Sequence, residues 1–141
     1  MKVLLDTCAL SEIRHPKGHP AVKQAYQKLP ESDLYISVVT LGEIVKGISL
    51  LDDGRRKNEL DQWVQGMEQY YSEHILPVDR DIAHIWGEIT ARAQRKGLTL
   101  AASDGLIAAT ALSNGLHIMT RNIKDFECTG ACLINPWAGD S

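Results

Sequence analysis

The chain is poor in aromatic side chains, which make up only 6% of it and include a single phenylalanine. No row of rings is therefore available to stack on single-stranded bases. Positive charge is not in excess: 15 Lys and Arg stand against 18 Asp and Glu, a net charge of −3, so no global positive field marks a binder of polyanions. Cysteine is scarce and odd in number. Cys8, Cys128 and Cys132 supply no disulfide framework, and Cys128 and Cys132 lack a second pair to complete a zinc site. A reducing, cytoplasmic setting is the expectation. No stretch approaches the ~20 apolar residues of a membrane span, and Val3-Leu4-Leu5 before Asp6 is too short a run for a signal peptide, so a soluble protein without membrane association is expected. The histidines, His15, His19, His74, His84 and His117, show no HExxH-like spacing, which weighs against a zinc hydrolase or a histidine-based ribonuclease. Their default positions are surface loop for the first two and helix or strand packing for the rest.

What is present is a regular alternation. At 141 residues the chain is expected to form one domain, 1–141, able to bury roughly 68% of its unfolded surface without a disulfide or structural metal. Short apolar runs read as strands at Val3–Asp6, Leu34–Ser37, Ile75–Val78, His117–Thr120 and Cys132–Asn135. Helical stripes lie between them. Ile82, Ile85, Trp86, Ile89 and Ala93 follow one face, with Asp79 as N-cap and Gly97 as terminator, and Leu60, Val64, Met67 and Tyr71 make another. The basic clusters Arg55-Arg56-Lys57 and Arg92 with Arg95-Lys96 fall on such helices and read as solvated faces. The alternation predicts an α/β/α sandwich with a mostly parallel sheet of about five strands. In such sheets ligands gather beyond the carboxyl ends of the strands.

Four acids occupy such places. Asp6 closes the first strand; Glu43 follows the second in SVVTLGEIVKGI; Asp104 opens the helix of AASDGLIAATAL; Asp125 follows the fourth strand in TRNIKDFE. Each has a plain structural reading. Thr40 to Glu43 fits a capping box, Asp104 a cap or first-turn position, and Asp6 the turn after its strand. As a set they fit this less well. The helix after Asp104 is apolar nearly all round and should be buried, carrying its carboxylate to the edge of the core. Two carboxylates ~5 Å apart at an effective dielectric of ~20 repel by about 3 kcal/mol. A hard divalent cation relieves such a cluster, and an oxygen-only donor set selects Mg²⁺ or Mn²⁺.

The ordered segments LLDTCALSE, SVVTLGEIVKGI, SDGLIAATA and TRNIKDFE, spanning Lys2 to about Phe126, resemble the PIN-domain ribonucleases, specifically the VapC/FitB-like toxins of bacterial toxin–antitoxin pairs. The resemblance implies Mg²⁺- or Mn²⁺-dependent hydrolysis of RNA phosphodiester bonds, a VapB-like antitoxin as partner and a homodimer. Carried over by motif, Asp6, Glu43 and Asp104 match the family's catalytic, metal-binding acids, with Asp125 a further one. Thr120, Arg121 and Asn122 match its strand-end TRN, and with Lys124 they form the implied RNA-binding group. Asn122 stands where some relatives carry an acid, so Asn122 and Asp125 are alternatives for completing the site. Many relatives have Asn or Ser two residues after the first Asp, where this chain has Cys8. That residue reads either as a small thiol packed in a first helical turn or as a thiol beside the metal, sensitive to oxidants and soft metals.

Two other classes compete. A haloacid-dehalogenase-like phosphatase also starts on an apolar strand ending in Asp, but it needs a second Asp where Cys8 stands. A non-catalytic interaction domain would use every acid as a helix cap and would tolerate Asp→Asn changes.

Overall fold

The computed structural model describes residues 1–138. Its regular elements are β1 (Val3–Leu5), α1 (Thr7–Arg14), α2 (Pro20–Gln27), β2 (Leu34–Ser37), α3 (Val38–Ser49), α4 (Arg55–Tyr70), β3 (Ile75–Leu76), α5 (Arg80–Arg95), α6 (Ala102–Asn114), β4 (His117–Met119), α7 (Ile123–Phe126) and β5 (Leu133–Ile134). The strands pair in the order β3-β2-β1-β4-β5, every pair parallel. Val3 lies beside both Leu34 and His117, which makes β1 the central strand.

The two faces of the sheet follow from the period of the strands. Val3, Leu5, Leu34, Ile36 and Met119 point to one side, where α1 and α4 cover them with Ala9, Leu10, Val64 and Met67. Leu4 and Ile118 point to the other, against Ile82 and Ile89 of α5 and Ile107, Ala108 and Ala111 of α6. Strands this short, packed between two helical layers, are mostly apolar, with Ser37 and His117 at the ends of β2 and β4.

Helix boundaries follow local chemistry. Asp79 caps α5 by accepting the Ile82 N–H at 2.9 Å, and Gly97, at φ 74°, closes its other end while the Leu98 N–H reaches Ala93 O at 2.9 Å. One expected cap is displaced. Thr40 is not the N-cap of α3 and makes no capping box with Glu43; Ser37 caps that helix, its Oγ accepting the Val39 N–H at 3.0 Å, and Thr40 is fully buried inside it. The Ser37 hydroxyl directly ends β2, so the helix starts as soon as the strand stops. His84, expected to pack, is exposed on α5, whereas His74 stacks on Tyr35 with ring centroids 4.4 Å apart. Among the described residues no helix is long and apolar enough to cross a membrane.

Candidate active site

Strand order reverses at β1: the chain proceeds outward through β2 and β3 on one side, then through β4 and β5 on the other. At that switch point the loops leaving β1 and β4 diverge and open a crevice at the carboxyl ends. Asp6 leaves β1 there, and Thr120, Arg121 and Asn122 leave β4. A cleft of about 250 Å³ is lined by Asp6, Cys8, Glu43, Asp104 and Asn122, with Phe126 on its wall. A larger cavity of about 400 Å³ lies between α1, α2 and α4, but Leu10, Ile13, Trp63 and Met67 make it apolar, without carboxylates.

Asp6 is buried, and one of its oxygens accepts the Ala9 N–H at 2.9 Å, so it caps α1 while facing the cleft. Glu43 is exposed on α3 and accepts from the Thr7 hydroxyl at 3.3 Å, a contact across 36 residues of sequence. Asp104 is half-buried in the first turn of α6, two residues past the start of the helix rather than at its cap. Asp125 is exposed on α7. Of the four acids, only Asp6 serves as a helix cap.

Their mutual field is visible in Asp104. Burial, then the charges of Asp125, Glu43 and Asp6 in that order, push its carboxyl up to about 6. Among the described residues no Lys, Arg or His is ion-paired with any of the four acids. Nor, among the described residues, do three of them, with or without a His or Cys, close on a common point, so Asp6, Glu43 and Asp104 line a cleft rather than form a finished cage. Asp125 dominates the charge acting on Asp104, while Asn122 lines the cleft itself, so each of the two alternatives for completing the site has its own observation.

Cys8 turns toward the acids. Its thiol donates to Asp6 at 2.9 and 3.2 Å from the two oxygens, accepts the Arg121 N–H at 3.4 Å and lies 3.8 Å from the Thr120 hydroxyl. Burial, reinforced by the Asp6 charge and hydrogen bond, pushes it up to about 11. It is therefore a neutral donor at physiological pH, bridging the ends of β1 and β4. Thr120 is fully buried and cannot meet RNA. Its hydroxyl accepts the Asn122 N–H at 3.0 Å and holds the turn that presents Arg121 and Asn122, both exposed, as is Lys124. Two contributors had no signal in the sequence: Thr7, whose partner is distant in the chain, and Phe126, which looks like any core aromatic.

Residues 3–129 match the PIN-domain family. The chain belongs to that family. It is 35% identical to the toxin FitB of Neisseria gonorrhoeae across 96% of this chain and 98% of that protein. With the VapC ribonuclease Y4jK of Sinorhizobium fredii it shares 29% identity across 96% and 97%. Among solved structures, FitAcB from Neisseria gonorrhoeae superposes with a TM-score of 0.88 at 34% identity, covering 96% of this chain and 98% of that one. The five-stranded parallel sheet between helical layers is thus the PIN fold.

PIN-domain nucleases work with a divalent metal ion. The donors here fit one in kind: carboxylate oxygens that, among the described residues, have no cationic partner, one of them raised by burial and by the neighbouring carboxylates.

Proposed function

We propose that this chain is the toxin of a toxin–antitoxin pair, an endoribonuclease that hydrolyses RNA phosphodiester bonds with Mg²⁺, or Mn²⁺ in its place. The observation that carries the reading is the meeting of Asp6, Glu43 and Asp104 from separate elements around one cleft, where burial first, and then the charges of Asp125, Glu43 and Asp6, raise the Asp104 carboxyl. Asp6, Glu43 and Asp104 would hold the cation, with Asp125 or Asn122 completing the set. When bound, the cation supplies charge neutralisation at the phosphate and activation of water at neutral pH.

The remaining work falls to the chain. The Ala9 N–H and the Cys8 thiol fix the Asp6 carboxylate, and the Thr7 hydroxyl restrains Glu43. Ile107 and Phe126 wall the cleft with apolar surface, which limits water and strengthens the charge interactions inside. Arg121, exposed on the turn after β4, and Lys124, exposed on α7, take RNA phosphates, and Asn122, which lines the cleft, offers amide donors to the same strand. The capping alternative accounts for Asp6 alone.

The partner is a VapB-like antitoxin, a reading supported by the toxin FitB, and the working form is a cytoplasmic homodimer in which residues 1–141 act as one nuclease domain. Expression alone should arrest growth. Purified protein should degrade total RNA with Mg²⁺ and not with EDTA, and Asp6→Asn should abolish both effects while still capping α1, since Asn caps about as well as Asp. Toxicity of Asp6→Asn equal to that of the wild type would overturn the reading.

A further inference from the structure

Helices α1, α3 and α5 each begin on a side-chain cap, from Asp6, Ser37 and Asp79, whereas α6 begins at Ala101 with none. Yet the first turn of α6 carries Asp104. An uncapped first turn frays unless packing holds it. The packing partner is Trp86 of α5. A Cβ placed on Gly105 would lie 2.9 Å from Trp86 Cδ1, 3.0 Å from its Nε1 and 3.3 Å from Leu100 Cδ2, closer than side-chain carbons pack. The indole therefore sits on bare helix backbone, one residue from Asp104. Its Nε1 is buried without a hydrogen-bond partner, so contact shape rather than a polar tether fixes the ring. Ile82 and Ile89, buried on the same helix face, hold α5 in place behind it.

We propose that Trp86 and Gly105 are positioning residues: their contact sets the depth and rotation of the first turn of α6, and with it the point at which the Asp104 carboxylate enters the cleft. This rests on the reading of Asp104 as a metal ligand. A rigid ring over a residue without a side chain is a single-valued contact. A methyl group at 105 must displace either the indole or the turn, and a ligand group tolerates only about 0.5 Å of misplacement.

The test is a Mg²⁺ titration read by thermal shift, with RNA cleavage kinetics alongside, on the wild type, Gly105→Ala, Trp86→Leu and the double variant. Gly105→Ala should raise the half-saturating Mg²⁺ concentration by about tenfold or more, within the range seen when groups supporting metal ligands are lost. Its KM for RNA at saturating Mg²⁺ should hold. Trp86→Leu removes the seat without adding bulk and should weaken Mg²⁺ binding several-fold, so the proposal remains testable if Gly105→Ala fails to fold. In the double variant the flexible leucine yields to the new methyl, and the midpoint should return to about that of Trp86→Leu, well below that of Gly105→Ala. A merely structural contact would move the melting temperature in EDTA and leave the Mg²⁺ midpoints alone, which would overturn the proposal. So would a double variant no better than Gly105→Ala. A wild type without any Mg²⁺ response would instead remove the metal reading and this inference with it.

Discussion

Neutralising Asp104 should stabilise the metal-free protein. Its carboxyl is displaced from an ordinary 3.8 to about 6 by burial and by Asp125, Glu43 and Asp6. Taken at face value that is about 3 kcal/mol of destabilisation once the group is ionised. Asp104 is only half-buried, and solvent screening reduces the figure to about 1–2 kcal/mol. The dipole of α6 acts the other way, favouring a first-turn anion by ~0.3–1 kcal/mol that Asn forgoes. The net gain for Asp104→Asn is then about 1 kcal/mol, or 2–4 °C in melting temperature for a chain of roughly this size. The pH dependence has a definite sign. Because the folded pKa is raised, the native state holds more protons than the unfolded chain between about 4 and 6, so wild-type stability declines as pH rises through that window. The advantage of Asp104→Asn should be full at pH 7.5, shrink through pH 6 and vanish near pH 4. Mg²⁺ should invert the order at pH 7.5, since a ligand specific to the folded state adds about 2.7 kcal/mol at a hundredfold excess over Kd, most of which the variant loses. The assay is a set of thermal melts of both proteins in EDTA across pH, repeated in millimolar Mg²⁺ at pH 7.5. A variant that melts at or below wild type in EDTA at pH 7.5, or a gap that ignores pH, would refute the carboxylate-repulsion argument.

Arg121→Ala and Lys124→Ala should each reduce the slope of log K against log salt for RNA binding by about one, measured by fluorescence titration from low to moderate salt; unchanged slopes would remove both side chains from the RNA path. Cys8 should resist alkylation in EDTA at pH 7.5, because a thiol pushed up to about 11 is ionised in well under about one molecule in a thousand. Mass spectrometry after iodoacetamide should find exposed Cys132 modified first, and equal rates at the two sites would contradict the Cys8–Asp6 hydrogen bond.

The sequence by itself determined the element pattern, because helix stripes, caps such as Asp79 and apolar strand runs are signals written within a few residues of where they act. It also placed Asp6 and Asp104 at element ends, whereas Glu43, expected just after the second strand, lies midway along α3; the order of the four acidic motifs was enough to reveal the family likeness. Tertiary structure decided what such windows do not contain. The strand order, with β1 between β2 and β4, is set by which apolar faces bury together, and it is this order that opens the crevice beside Asp6. The hydrogen bond from Thr7 to Glu43 and the turn of Cys8 onto Asp6 depend on backbone paths fixed elsewhere in the chain. Local chemistry misled where two candidates competed: Thr40 satisfies a capping motif, yet Ser37 stands at the point where β2 releases the chain, and the cap goes to the residue the sheet leaves there. Thr120 likewise carries a surface-like hydroxyl, but it is buried beside the Cys8 thiol and the Asn122 N–H, so it shapes the site from within while Arg121 and Asn122 face solvent.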